Sequence, residues 1–240
     1  MSNGSLYKYL PAQYAREMVS RGTILLRAPA WFREQEKKDV ARGDRSEGTR
    51  EVGIPYTTWP GKPPMDDESE AFVRKTLFPN MLKMIDEGSL SMTGNSRVIE
   101  ATRSPPGTML YCMSSTLSAD LQREFGTDTV VEIRNPDALA QCVCNALGRI
   151  YGGRRAARER TTFIAEMLEC VYTELPVSPK DPLRNAHPCL LKDSRFKMQC
   201  EVRLVVHGNH PAFQSRTELP VHVPELVGAC GIVVPPPASS

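Results

Sequence analysis

The stretch FKMQCEVRLVV, residues 196–206, places an acid and a base two positions apart in an apolar run. Side chains of an extended strand alternate between its faces, so Glu201 and Arg203 share one face. Two kinds of chemistry fit that pattern. A structural ion pair would finish a sheet and do nothing more. A rigidly held carboxylate beside a guanidinium would also make the floor of an active site. There Glu201 would stabilise developing positive charge, and Arg203 would fix it or meet an anion. The spacing leaves both open.

A second group of candidates lies in APAWFREQEKKDVARGDRSEGTRE. Trp31 and Phe32 follow directly on a strand-like segment, and Asp44, Glu47 and Gly48 come after a charged spacer. An aromatic pair pinned to the core would hold the charged loop over a neighbouring cleft. That gives Trp31, Asp44 and Glu47 a role in contacting substrate; the plain alternative is a solvated loop. The arginine-rich run GRRAARER, residues 153–160, suits either phosphate contact or an exposed helix face. His207 and His210 in HGNH, with His222 beyond, lack the cysteine partners of common zinc spacings, so turn histidines and no metal are expected. YCMSST carries Cys112, Ser114 and Ser115 without a neighbouring histidine, and G-x-S-x-G is absent, which disfavours a hydrolase triad. Neither G-x-G-x-x-G nor a Walker A loop occurs, which argues against Rossmann and P-loop nucleotide sites.

These residues need strands to hold them. LYKYL and TILLRAP read as short strands flanking a helix, PAQYAREMVSRG, with Pro11 at its start and Gly22 at its end. Residues 33–67 are charged and aperiodic, which predicts a long loop less ordered than the strands, with Trp31 and Phe32 buried at its root. DESEAFVRKTLFPNMLKMIDEG predicts an amphipathic helix with a bend at Pro79 and a stop at Gly88. SLSMTG and RVIEATR suggest a strand pair, and GTMLYCMSS a buried strand. Beyond it come a helix capped by Ser118, the strand TDTVVEIRN and a helix opening at Pro136. LECVYTELPV, KMQCEVRLVVHG, TELPVHVPEL and GACGIVV make a β-rich end. Irregular mixing of strands and helices is an α+β plan, expected as a single domain over residues 1–234 with a loose tail at 235–240.

Composition agrees with a folded globular chain: 240 residues, 40% hydrophobic and 24% charged. A formal net charge of +2 gives no global case for nucleic-acid binding. No apolar run is long enough for a membrane span, and the N-terminus lacks a signal-peptide pattern. Seven cysteines, none in a C-x-x-C pair, suggest a reduced, cytoplasmic protein without disulfides.

Several segments line up in an order that resembles known families. LYKYLPAQYAREMVSRGTILLRAPAWF resembles the opening of a bacterial domain family of unknown function, LYCMSST looks like that family's C-x-S strand, and FKMQCEVRLVV looks like its closing E-x-R strand. The same order is similar to ADP-ribosyltransferases, whose first strand offers a histidine or arginine to NAD, a middle strand a serine or tyrosine, and a late strand the catalytic glutamate. The resemblance implies mixed sheets around a central cleft with peripheral helices. It implies NAD as substrate, with Lys8, Tyr9, Arg27, Tyr111, Ser114 and Ser115 around it and Glu201 and Arg203 as the catalytic pair. It also implies a toxin or antiphage role, an RNA, DNA or protein acceptor, and room for an antitoxin partner. Lys8 departs from the pattern, because lysine is not the usual residue there. Two other outcomes stay open: a non-catalytic interaction domain with the same fold, and a metal-dependent nuclease or hydrolase using Asp44, Glu47 and Glu201.

Overall fold

The structure, a computed structural model, describes residues 4–35, 46–59, 67–76, 92–152 and 162–237. Twelve strands are described: β1 (Leu6–Leu10), β2 (Thr23–Arg27), β3 (Thr49–Trp59), β4 (Met92–Arg103), β5 (Thr108–Ser114), β6 (Thr129–Ile133), β7 (Phe163–Glu169), β8 (Val171–Thr173), β9 (Leu191–Asp193), β10 (Glu201–Gly208), β11 (Glu218–His222) and β12 (Cys230–Val233). The helices are α1 (Ala12–Arg21), α2 (Pro29–Gln35), α3 (Asp67–Thr76), α4 (Ala119–Glu124), α5 (Pro136–Tyr151) and α6 (Pro211–Gln214). This is a mixed α+β architecture built on one large antiparallel sheet.

That sheet has eight strands. β5 sits at its centre and pairs with β10 along its length, from Glu201 opposite Ser114 to His207 opposite Thr108. β7 closes that side by pairing with β10. On its other edge β5 meets two strands, each at a single position: β1 where Tyr7 faces Ser114, and β2 where Arg27 faces Leu110. β1 then continues into β6 and β12, and β2 into β11. The sheet therefore forks along one edge of β5. β3 with β4, and β8 with β9, form two small sheets beside it.

Alternation along the strands sorts the two faces of the large sheet. Met109, Tyr111 and Met113 of β5 join Leu204 and Val206 of β10 in the main core, with Ala15 and Met18 of α1 and Leu139, Val143 and Leu147 of α5. The opposite face carries Leu110 and Val205, packed on Cys189 and Phe32, together with the charged pair Glu201 and Arg203. α1 stops at Gly22, whose φ of 67° is left-handed and whose N–H returns to the carbonyls of Glu17 and Met18.

Several elements differ from the sequence expectation. Residues 33–67 are not one loop: helix α2 reaches Gln35, and β3 is an eleven-residue strand. β3 escaped notice because Gly53 and Pro55 interrupt its alternation, and its partner lies more than thirty residues further on. SLSMTG and RVIEATR are not a pair; residues from Met92 on make the single strand β4. LECVYTELPV divides between β7, which joins the large sheet, and β8, which does not. FKMQCEVRLVV is strand only from Glu201. Ser194–Gln199 form a 3-10 helix, and Cys200 turns the chain with a left-handed φ of 44°. Helix 67–88 is described as far as Thr76; Pro79, Gly88 and the run at 153–160 lie outside the described residues.

Candidate functional site

The fork in the sheet opens into a cavity of about 270 Å³. Lys8 of β1, Ser114 of β5 and Glu201 of β10 all line it, as do Tyr9, Arg27, Trp31 and Glu47. Three neighbouring strands, β1, β5 and β10, thus deliver side chains to one space. Seven aromatic residues stand in the wall: Tyr7, Tyr9, Tyr14, Trp31, Phe32, Phe125 and Phe196. Flat apolar walls with a few polar groups are what a heterocyclic ligand needs.

A buried charged cluster forms the floor. Arg203 is 0% exposed and serves three partners at once. Its Nε donates to Glu201 Oε1 at 2.6 Å, one Nη to Glu47 Oε2 at 2.7 Å, and the other to the Cys189 carbonyl at 2.6 Å. The other oxygen of Glu201 accepts from the ammonium of Lys192, which also donates to Gln199 Oε1 at 2.9 Å. Gln199 in turn donates to Glu124 Oε1 at 3.2 Å. The backbone N–H of Glu201 donates to the Tyr172 hydroxyl at 2.6 Å, and burial pushes that phenol up to about 12. Burial alone would raise the pKa of Glu201. Arg203 and Lys192 outweigh it and hold the carboxyl far below its ordinary value, so Glu201 is ionised.

Glu47 reaches this cluster through a local device. Gly48 follows it with φ 63°, and a Cβ there would lie 2.5 Å from the Pro29 side chain and 2.8 Å from Ser104 Oγ. Only glycine fits the turn that brings Glu47 inward under α2. The Arg33 guanidinium, from α2, donates to the Glu47 carbonyl.

Lys8 stands apart from the cluster. Its ammonium donates to the Cys112 carbonyl and lies 4.8 Å from the centre of the Tyr111 ring. At the fork β5 lacks a continuous neighbour, and the lysine satisfies a carbonyl that a strand would otherwise have paired. Burial pushes Lys8 below its ordinary pKa, and Arg27 adds to the push. Arg27 itself lies 3.8 Å above the Trp31 ring and pairs with Glu218 at 2.9 Å. Glu47 and Glu201 pair with Arg203 and Lys192, and Glu218 with Arg27, whereas Lys8 is bonded to a carbonyl oxygen.

The remaining expected residues take other positions. Tyr111 is buried behind the wall, its hydroxyl donating to Met18 Sδ at 3.2 Å. Ser115 is exposed and donates to the Cys200 carbonyl at 3.2 Å, away from the cavity lining. The Ser114 hydroxyl donates to the carbonyls of Gln199 and Thr116, at 2.8 and 3.1 Å. The Tyr9 hydroxyl donates to the Thr116 carbonyl and accepts from Ser118 N. Both hydroxyls brace the turn after β5. Trp31 and Phe32 are half-buried on α2 and meet edge to face, rather than buried at a loop root. Arg203 supports the site from beneath and does not line it.

Asp44 lies outside the described residues. Glu47 and Glu201 do converge, but the Arg203 guanidinium fills the space between them where a metal reading would put a cation. His207 Nδ1 lies 3.0 Å from Thr108 Oγ1, and His210 caps α6. Among the described residues, no group of three or more His, Cys, Asp or Glu is placed to hold a metal. None of the described helices is long and apolar enough to cross a membrane. All seven cysteines are free thiols.

Sequence reasoning missed Lys192, Gln199 and Phe196. Gln199 and Phe196 were within reach, since they flank the E-x-R motif. Lys192, in LLKDS, carries no pattern; only the docking of β9 on β8 brings it under Glu201. Compared with protein-family models, curated proteins and solved structures, the chain matches none.

Proposed function

We propose that the protein is an ADP-ribosyltransferase-like enzyme that takes NAD as substrate and passes ADP-ribose to a nucleic acid or protein. The observation that carries this reading is the convergence of Lys8, Ser114 and Glu201, from three separate strands, on one aromatic-walled cavity. Had they stood on separate surfaces, the reading would have ended there.

The chemistry follows from the site's charges. Breaking the nicotinamide–ribose bond leaves an oxocarbenium-like centre, as in glycoside cleavage. The nicotinamide departs with the bonding electrons, an acceptor nucleophile forms the new bond to the ribose carbon, and the acceptor's proton leaves to water. Glu201 acts as a fixed anion that stabilises the positive centre and accepts a ribose hydroxyl. It is ionised and held at both oxygens, so it is no general acid. Lys8 and Arg27 supply positive charge for the pyrophosphate, and the aromatic wall supplies stacking for the rings. A cavity of about 270 Å³ lies near the lower end of small-molecule sites, about 300 Å³, and encloses part of a dinucleotide rather than all of it. An antitoxin partner and a role in toxicity or phage defence extend this reading and share its test.

A non-catalytic binding domain is the second reading. It is favoured by one fact: Arg203 and Lys192 neutralise Glu201 from both sides. Incubation with NAD labelled in its adenylate half, with RNA, DNA and protein fractions offered separately, distinguishes the two. The enzyme reading expects label in one fraction together with released nicotinamide. Retention of intact NAD in all three contradicts it.

A further inference from the structure

We infer that Lys192 is the positioning residue of this site: its buried ammonium fixes the Glu201 carboxylate and ties it to Gln199. The inference rests on the proposed reading of Glu201 for its catalytic part, but the contact itself is testable without activity.

Lys192 is buried because it is paired, and the pairing puts it at Glu201. Lysine is rarely buried otherwise, and its side chain is 7% exposed. It sits on a three-residue strand, β9, in the layer stacked against the charged face of the large sheet. Its cation lies 4.9 Å from the centre of the Phe196 ring, and its donors reach Glu201 Oε2 and Gln199 Oε1. Arg203 is shared between Glu201 and Glu47, so Lys192 completes a buried cluster of two carboxylates and two cations, and it does so on the oxygen of Glu201 that Arg203 leaves open.

Two donors on two oxygens do what one cannot. With Arg203 alone the carboxylate would be free to pivot about its Oε1 contact. Lys192 removes that freedom and sets the plane of the group facing the cavity. Gln199 extends the tie to Glu124 of α4, which belongs to the β1 and β6 side of the fork. The chain Glu201–Lys192–Gln199–Glu124 therefore links the start of β10 to helix α4. Loss of Lys192 frees the carboxylate and releases Gln199 from it.

The test uses Lys192→Met, Lys192→Gln and Lys192→Arg, each alone and with Glu201→Gln, in label transfer and in melting. The expected result is a fall in kcat of about tenfold to a hundredfold for Lys192→Met, the size of one charge-assisted hydrogen bond, with KM for NAD little changed. The acid limb of the kcat profile should move to higher pH, because Glu201 loses one of the two cations that hold it ionised. Lys192→Arg should recover part of the rate and restore the limb. In melting, Lys192→Met and Glu201→Gln should be strongly non-additive, because each removes the same contact.

Should Lys192→Met not fold, Lys192→Gln answers the same question, since it keeps a hydrogen bond and loses the charge. Wild type without transfer, but with non-additive melting, would sustain the contact and end the enzyme reading. Additive melting, or a rate loss with an unmoved acid limb, would overturn the positioning role while leaving the enzyme reading standing.

Discussion

The two faces of β10 share a backbone and differ in everything else. One carries Val202, Leu204 and Val206 into the main core beneath α1 and α5; the other carries Glu201 and Arg203 into a cluster with Glu47 and Lys192. Both faces are buried, but by different physics. The apolar face gains by leaving water and is indifferent to direction. The charged face loses hydration and recovers it only if every partner is in place. A strand gripped this way on both sides cannot shift register without exposing one face or orphaning the other. The lesson is that the charged face is held in register by the apolar face as well as by its own ion pairs.

The comparison breaks most sharply at its two central residues. Arg203→Met should cost about 3–5 kcal/mol in chemical denaturation, because it removes the cation that Glu47 and Glu201 share and leaves Lys192 as the one cation for two buried carboxylates. Leu204→Ala on the opposite face should cost about 2–5 kcal/mol through a cavity, with label transfer per folded molecule unchanged. Similar stability losses with opposite effects on activity would confirm that the faces divide the work. If Leu204→Ala silenced transfer at full folding, the division would be wrong.

Acid sharpens the contrast further. The folded pKa of Glu201 lies below its ordinary value of 4.5, so it adds stability above that pH, and this is lost as pH falls. Arg203→Met should shift that loss to higher pH, and Leu204→Ala should not. A separate, weaker acid effect is expected at the far end of β10. His187 and His207 meet edge to face with ring centres 5.3 Å apart, and burial lowers both below 6.5. Their neutral forms favour the folded state, so their contribution is present above pH 6.5 and lost as pH falls through it. Melting curves from pH 7.5 to 5 should show a shallow decline that a His187→Gln, His207→Gln double variant removes. The smallest effect belongs to the surface: Arg123→Ala, which breaks an exposed pair with Asp120, should change stability by less than about 0.5 kcal/mol.

How much of this was legible in the sequence follows the same divide. Local alternation was readable, so β1, β2, β5 and β10 fall where LYKYL, TILLR, TMLYCMS and EVRLVV suggest, and share one sheet. The shared face of Glu201 and Arg203 was readable for the same reason. Contacts made across long separations were not. Arg203 meets Glu47 from 156 positions away, and no pattern near either residue announces it. The 3-10 turn before Glu201 was hidden because KMQC alternates like a strand, and only the left-handed Cys200 separates the two. Tyr111 and Ser115 were credited to the site because the resemblance maps a middle-strand serine or tyrosine onto Tyr111–Ser115. Pleating sends Tyr111 into the core, and Ser115 lies just past the end of β5.

The most direct test concerns Glu201. Glutamine keeps its shape, and Lys192 and Arg203 keep other partners in Gln199 and Glu47, so part of the cluster survives Glu201→Gln. Melting alone therefore cannot separate a structural glutamate from a catalytic one. The measurement is nicotinamide released from NAD, counted per folded molecule, for wild type and Glu201→Gln under conditions where both remain folded. The account predicts release by wild type and a loss of more than about a hundredfold in the variant. Equal release by the two folded proteins, or none by wild type with its acceptor present, would contradict it.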